Sequence, residues 1–124
     1  MDYVCGPVIL YSQDKIRMMD FLSDVFEFDV DAEQDLVYNG PLHLKLVELP
    51  DSQKENFQSL GIKFAFKTKN TEELEEIVNK CNFFIYRKED KTLIEQVCPK
   101  ETDSSLSIKD IDGRIWQFDV EKIQ

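Results

Sequence analysis

The sequence predicts an α+β fold made of two successive β-α-β-β-β modules, and three observations carry that reading. Two strand-like runs, Val4 to Tyr11 and Ile62 to Thr68, each lead into a stretch with helical periodicity. Each helix opens on a capping residue, Asp14 in the first case and Asn70 in the second. Each helix is then followed by several short extended runs, and the chain closes on a hairpin around Asp110-Ile111-Asp112-Gly113.

In chain order, V-C-G-P-V-I-L-Y reads as a strand in which Pro7 marks an edge, because proline gives the ladder no N–H. Ser12 or Asp14 caps the first helix. Ile16, Met19, Leu22 and Phe26, with Met18, Phe21 and Val25 beside them, give it a broad apolar face, opposite Lys15, Arg17, Asp20 and Asp24. Extended runs follow at Phe28 to Val30 and Leu36 to Tyr38. The Asn39-Gly40 turn then leads to Leu42 to Leu49, where Leu42, Leu44 and Leu46 alternate with His43, Lys45 and Val47. Pro50 to Ser59 is a polar linker with one helical turn expected around Phe57.

The second module opens with Ile62, Phe64 and Phe66 on one face and Lys63, Ala65 and Lys67 on the other. Asn70 with Glu73 three residues on resembles a capping box, and Glu72 and Glu75 favour the positive end of the helix dipole. Leu74, Ile77, Val78 and Cys81 form the buried stripe. Phe83 to Arg87 and Thr92 to Val97 read as strands and Pro99 to Ser104 as a loop. In the closing hairpin Leu106 and Ile108 face Ile115, Trp116 and Phe118 across the Asp-Gly turn, where glycine supplies the positive φ and the aspartates can bond the backbone. The domain expectation is one domain over 1–124, with modules at about 1–50 and 61–124 joined by a linker at 51–60.

Charge and composition exclude several function classes. Lys and Arg total 15 against 25 Asp and Glu, a formal charge of −10, which repels phosphate backbones and anionic headgroups. Neither nucleic acid nor a membrane is expected as a partner. No apolar run reaches the roughly 20 residues of a membrane span, and Met1-Asp2-Tyr3-Val4 lacks a basic signal start, so a cytoplasmic protein is expected. Cys5, Cys81 and Cys98 are odd in number and form no C-x-x-C pair, which signals neither a disulfide framework nor a thiolate metal site.

Two stretches resemble a known family. Tyr11-Ser12-Gln13-Asp14 followed by Phe21-Leu22-Ser23-Asp24-Val25-Phe26-Glu27-Phe28 is similar to the V-x-D and F-Y-x-x-x-L-G-F stretch of vicinal-oxygen-chelate proteins, with Leu22 for the tyrosine and Glu27 for the glycine. Asp110 to Arg114 resembles the D-P-D-G-N hairpin of the same family, with Ile111 for the proline and Arg114 for the asparagine. The family includes glyoxalase I, extradiol dioxygenases and the fosfomycin- and bleomycin-resistance proteins. The resemblance implies tandem modules forming a cupped mixed sheet, and a homodimer.

In metal-using members four strand positions supply the ligands, and here they fall on Pro7, Lys45, Lys63 and Gln117. A divalent cation needs imidazole, carboxylate or thiolate donors; proline offers none, ammonium repels the ion and an amide is weak. A one-residue slip would bring in Gly6 or Val8, Ile62 or Phe64, Leu44 or Leu46, and Trp116 or Phe118, none of them a ligand. No metal, cofactor or catalytic residue is expected. His43, the only histidine, has its nearest strand carboxylate, Glu48, five residues away and so on the opposite face. The chain has no G-x-S-x-G, P-loop or dinucleotide fingerprint.

The candidate ligand-binding residues of the cup are Tyr11, His43, Lys45, Lys63, Trp116 and Gln117, with core packing the competing reading for Trp116 and rim-directed ammonium groups the competing reading for the lysines. Inward lysines would hold a carboxylate or phosphate group. The expected function is metal-free small-molecule binding of the glyoxalase or bleomycin-resistance kind. The alternatives are a metal-dependent lyase, isomerase or dioxygenase with a displaced site, and a non-catalytic dimeric interaction module.

Overall fold

The structure, a computed structural model, describes residues 1–59, 61–88, 100–102 and 104–121. They divide into two compact units, Met1–Phe57 and Gln58–Gln124. Each unit is α+β and carries its own mixed four-stranded sheet.

In the first unit β1 (Val8–Ser12) leads into α1 (Lys15–Phe26), then β2 (Asp29–Asp31), β3 (Leu36–Asn39) and β4 (Leu42–Glu48). The spatial order is β1-β4-β3-β2, with β1 parallel to β4 and the other pairs antiparallel. The first strand begins at Val8, four residues later than the apolar run suggests, directly after Pro7, which brings no N–H to a ladder. Asp14 caps α1 by accepting the Arg17 N–H at 3.1 Å, while the Glu48 carboxylate accepts that of Lys15 at 3.1 Å. Two of the orphan donors of the first turn are satisfied in this way. Met18, Phe21, Leu22 and Val25 bury against Leu10, Val37, Leu44 and Leu46 of the sheet.

The helix ends at Glu27, a non-glycine residue in the left-handed region at φ +60°, whose N–H returns to Ser23 O at 3.1 Å while Phe28 N–H reaches Leu22 O. A side chain there is strained where glycine would not be. Glu27→Gly should therefore raise unfolding stability by about 0.5–1 kcal/mol, read from urea denaturation midpoints; a loss of stability would show that the glutamate side chain holds the cap. The linker contains one helical turn, α2 (Asp51–Lys54), earlier than the turn expected at Phe57. Pro50 opens it with φ −57°, and Lys54 ties it to Glu48 at 3.4 Å and Asp51 at 3.2 Å.

The second unit repeats the connectivity with β5 (Lys63–Thr68), α3 (Thr71–Lys88), β6 (Lys100–Glu101), β7 (Ser105–Lys109) and β8 (Ile115–Val120), in the order β5-β8-β7-β6. Asn70 accepts the Glu73 N–H at 3.0 Å, and Glu73 reaches back to the N–H of Lys69 at 2.9 Å. The strand read at Phe83 to Arg87 is instead the continuation of α3. Phe84 extends the stripe of Leu74 and Cys81 into the core, while Phe83 and Tyr86 point to solvent. Helical spacing overrides the local preference of aromatic residues for strands. The run Thr92 to Val97 lies outside the described residues. Lys100 and Glu101, read as loop, pair with Ser107 and Leu106.

Beneath α3 the sheet is aromatic. Phe64 stacks on Trp116 at 4.4 Å, and Phe66 stacks on Phe118 at 5.2 Å. The β7–β8 turn is held by a buried polar knot. One Asp110 oxygen accepts the N–H groups of Asp112 at 2.8 Å and Arg114 at 3.1 Å. The other accepts Trp116 Nε1 at 2.8 Å and Arg114 Nη1 at 3.3 Å, and Arg114 Nη1 also meets Asp112 at 3.2 Å. Gly113, at φ +87°, closes the turn onto Asp110 O.

Asp110→Ala would leave Arg114 paired with Asp112 but strip the buried N–H groups of Asp112, Arg114 and the Trp116 ring of their acceptor, each at about 1–3 kcal/mol. It should destabilise the protein by about 3–5 kcal/mol, well beyond the effect of Asp112→Ala; equal losses would show that the knot is not centred on Asp110. Burial pushes the Asp110 carboxyl above its ordinary value, against the pull of Arg114 and the Trp116 N–H. The folded chain therefore binds this proton more tightly than the unfolded chain. The stability linked to it is complete below about pH 3.8 and is lost as pH rises through the raised value. Asp110→Asn should flatten that decline in chemical denaturation as pH rises above about 3.8; parallel pH profiles would contradict it.

Candidate functional site

Because side chains alternate along a strand, each helix covers one face of its sheet and leaves the other free. In the first unit the free face carries Ile9 and Tyr11 from β1, both about half exposed, and His43, Lys45 and Val47 from β4. Lys45 lies between Ile9 and Leu36 in the register, and His43 lies beside Tyr38 with the rings stacked at 5.5 Å. His43 and Lys45 line an open depression of about 460 Å³ together with Cys5, Gly6, Pro7, Gln34, Leu36 and Pro41. Its size suits a small molecule, and its wall mixes proline and leucine with an imidazole, an ammonium group and an amide. Of the sequence candidates, His43 and Lys45 meet here. Cys5 and Gln34 lie outside the sequence candidates, because the N-terminal segment and the β2–β3 connection give no signal of approaching β4, while Pro41 joins the wall as the residue that leads into Leu42.

In the second unit the free face reads across β5, β8 and β7 as three rows: Lys63–Ile115–Lys109, Ala65–Gln117–Ser107 and Lys67–Asp119–Ser105. Gln117 Nε2 donates to both oxygens of Asp119, at 3.1 and 3.2 Å. That contact, then the Ser105 hydroxyl, and then the fields of Lys63 and Lys67 hold the Asp119 carboxyl below its ordinary value. Trp116 is not part of this face. It lies fully buried on the helix side, with its N–H spent on Asp110. The register allows no other outcome, since Trp116 is the neighbour of Gln117 and must point the opposite way.

The sequence matches no protein-family model and no curated protein. Solved structures do match. The fosfomycin resistance protein FosX from Mesorhizobium loti is 14% identical with a TM-score of 0.65, over 99% of this chain and 96% of that one. This chain has the vicinal-oxygen-chelate fold. A hypothetical protein from S. aureus is 17% identical with a TM-score of 0.69, over 95% of this chain and 97% of that one. A mutant FosX from Listeria monocytogenes, complexed with Mn(II) and 1S,2S-dihydroxypropylphosphonic acid, is 13% identical with a TM-score of 0.66, over 99% and 94% of the two chains.

The four residues expected from the sequence at metal-ligand positions do not carry metal-type donors. Pro7 has no donor atom, Lys45 and Lys63 carry ammonium groups, and Gln117, whose Nε2 donates to Asp119, offers only a neutral amide oxygen. Among the described residues no three His, Cys, Asp or Glu side chains gather into a set that could hold an ion. Trp116, the sole tryptophan, offers a direct check on the face assignment. Its fluorescence should be blue-shifted, resistant to acrylamide and insensitive to ligands of the free face; quenching by a bound ligand would return it to the site.

Proposed function

We propose that the protein binds a small molecule on the free faces of its sheets without a divalent metal, and that it is not a metal-dependent lyase, isomerase or dioxygenase. The donor set supports this reading: Pro7, Lys45, Lys63 and Gln117 occupy the positions that the sequence resemblance assigns to the ligands of metal-using members. In such members a cation polarises or activates an oxygen atom. Here the corresponding side chains supply two ammonium groups, which attract anionic ligands but create no nucleophile.

The ligand-contacting residues are Tyr11, His43 and Lys45 in the first unit and Lys63 and Gln117 in the second. The depression along His43 and Lys45 favours binding over a pure interaction surface, since it offers concave apolar walls with polar groups at hand. Listeria FosX is complexed with a phosphonic acid, which makes small organic acids and phosphonates the first ligands to try. Binding would take place in a homodimer, which the edge strands β1 and β5 favour because an uncovered edge invites pairing. No helix among the described residues is long and apolar enough to cross a membrane.

Elemental analysis of protein purified without chelator tests the reading. The expected result is far less than one equivalent of manganese, iron, nickel or zinc per chain, with ligand binding unaltered by EDTA. One equivalent of metal that disappears in His43→Ala would overturn it in favour of a displaced catalytic centre.

A further inference from the structure

Strands β5, β8 and β7 present an inverted charge. The chain carries −10 overall, yet the free face of these three strands holds Lys63, Lys67 and Lys109 against the single carboxylate of Asp119. Asp119 sits in the row of Lys67, is bound by Gln117 and lies in the fields of both Lys63 and Lys67. Lys63 and Lys109 share the far row, one on each side of Ile115. Both are exposed, and among the described residues neither makes an ion pair.

Two strand spacings put the Lys63 and Lys109 backbones about 10 Å apart, so their flexible four-carbon stems can bring both ammonium groups onto one anion above Ile115. Ser107 lies two residues before Lys109 on the same face and adds a hydroxyl donor. Drawing the two ammonium groups together brings their like charges into repulsion, which an anion bound between them offsets.

We infer that Lys63, Lys109 and Ser107 form a seat for the phosphate- or phosphonate-type group of a small ligand, with Ile115 as its apolar floor. The inference rests on the reading that the free faces bind ligands without a metal, and it specifies the chemical class. A small anion is indicated over a nucleic acid or an anionic membrane, because a polyanion would meet the field of the whole acidic chain. A compact ion reaching the lysine pair does not.

The test uses inorganic phosphate titrated into the full chain at constant ionic strength, followed by amide chemical shifts. Saturable shifts centred on Lys63, Ser107, Lys109 and Ile115 are expected. Lys63→Gln and Lys109→Gln should each weaken binding about fivefold, the effect of one exposed charge contact. Lys67→Gln, which removes the same charge from the Asp119 row, should change it by less than about twofold.

Shifts that never saturate, or that chloride reproduces, would overturn the seat. Shifts centred on His43 and Lys45 would also overturn it while leaving metal-free ligand binding in place. Saturation only after Mn²⁺ is added would refute both readings.

Discussion

The constraint on which the rest depends is the strand pleat under a covering helix. Once α1 and α3 bury one face of each sheet, every second strand residue is committed to the core and only its neighbours can meet a ligand. In β8 this separates Trp116 and Phe118, under the helix, from Gln117 and Asp119, on the free face. A slip of one residue would exchange the two sets and with them the whole chemistry of the site.

The buried turn at Asp110 keeps that register in the second unit. A single carboxylate accepts four N–H groups, one of them from Trp116, so the tryptophan is tied both to its stacking partners and to the turn. Arg114 is needed because two aspartates are buried together, and its guanidinium offsets their repulsion. The turn is therefore part of the functional architecture, although the side chains of Asp110, Asp112 and Arg114 are themselves buried.

Much of this was legible in the sequence. The doubled β-α-β-β-β order, both helix caps and the free faces of β4 and β5 follow from period-2 and period-3.6 patterns and from the positions of Asp14 and Asn70. The reading failed where local preference and tertiary packing disagree. Phe83 to Arg87 looks like a strand because it is rich in aromatic and branched residues, but Phe84 completes the core stripe of α3. Trp116 was grouped with the ligand residues because aromatic side chains suit binding sites as well as cores. Arg114 gave no warning, since an arginine in a turn usually faces solvent. The approach of Cys5 and Gln34 to β4 depends on loop paths that no periodicity encodes.

The central claim is the proposed one, that the positions which the family resemblance assigns to metal ligands hold proline, two ammonium groups and a neutral amide, a set that suits anions better than cations. Paramagnetic Mn²⁺ titrated into the isotope-labelled protein tests it most directly, because line broadening reports where the ion resides. The account predicts broadening only near exposed carboxylates, with the amides of Lys45, Lys63 and Gln117 left sharp. Saturable broadening centred on those three residues, at one ion per chain, would contradict it.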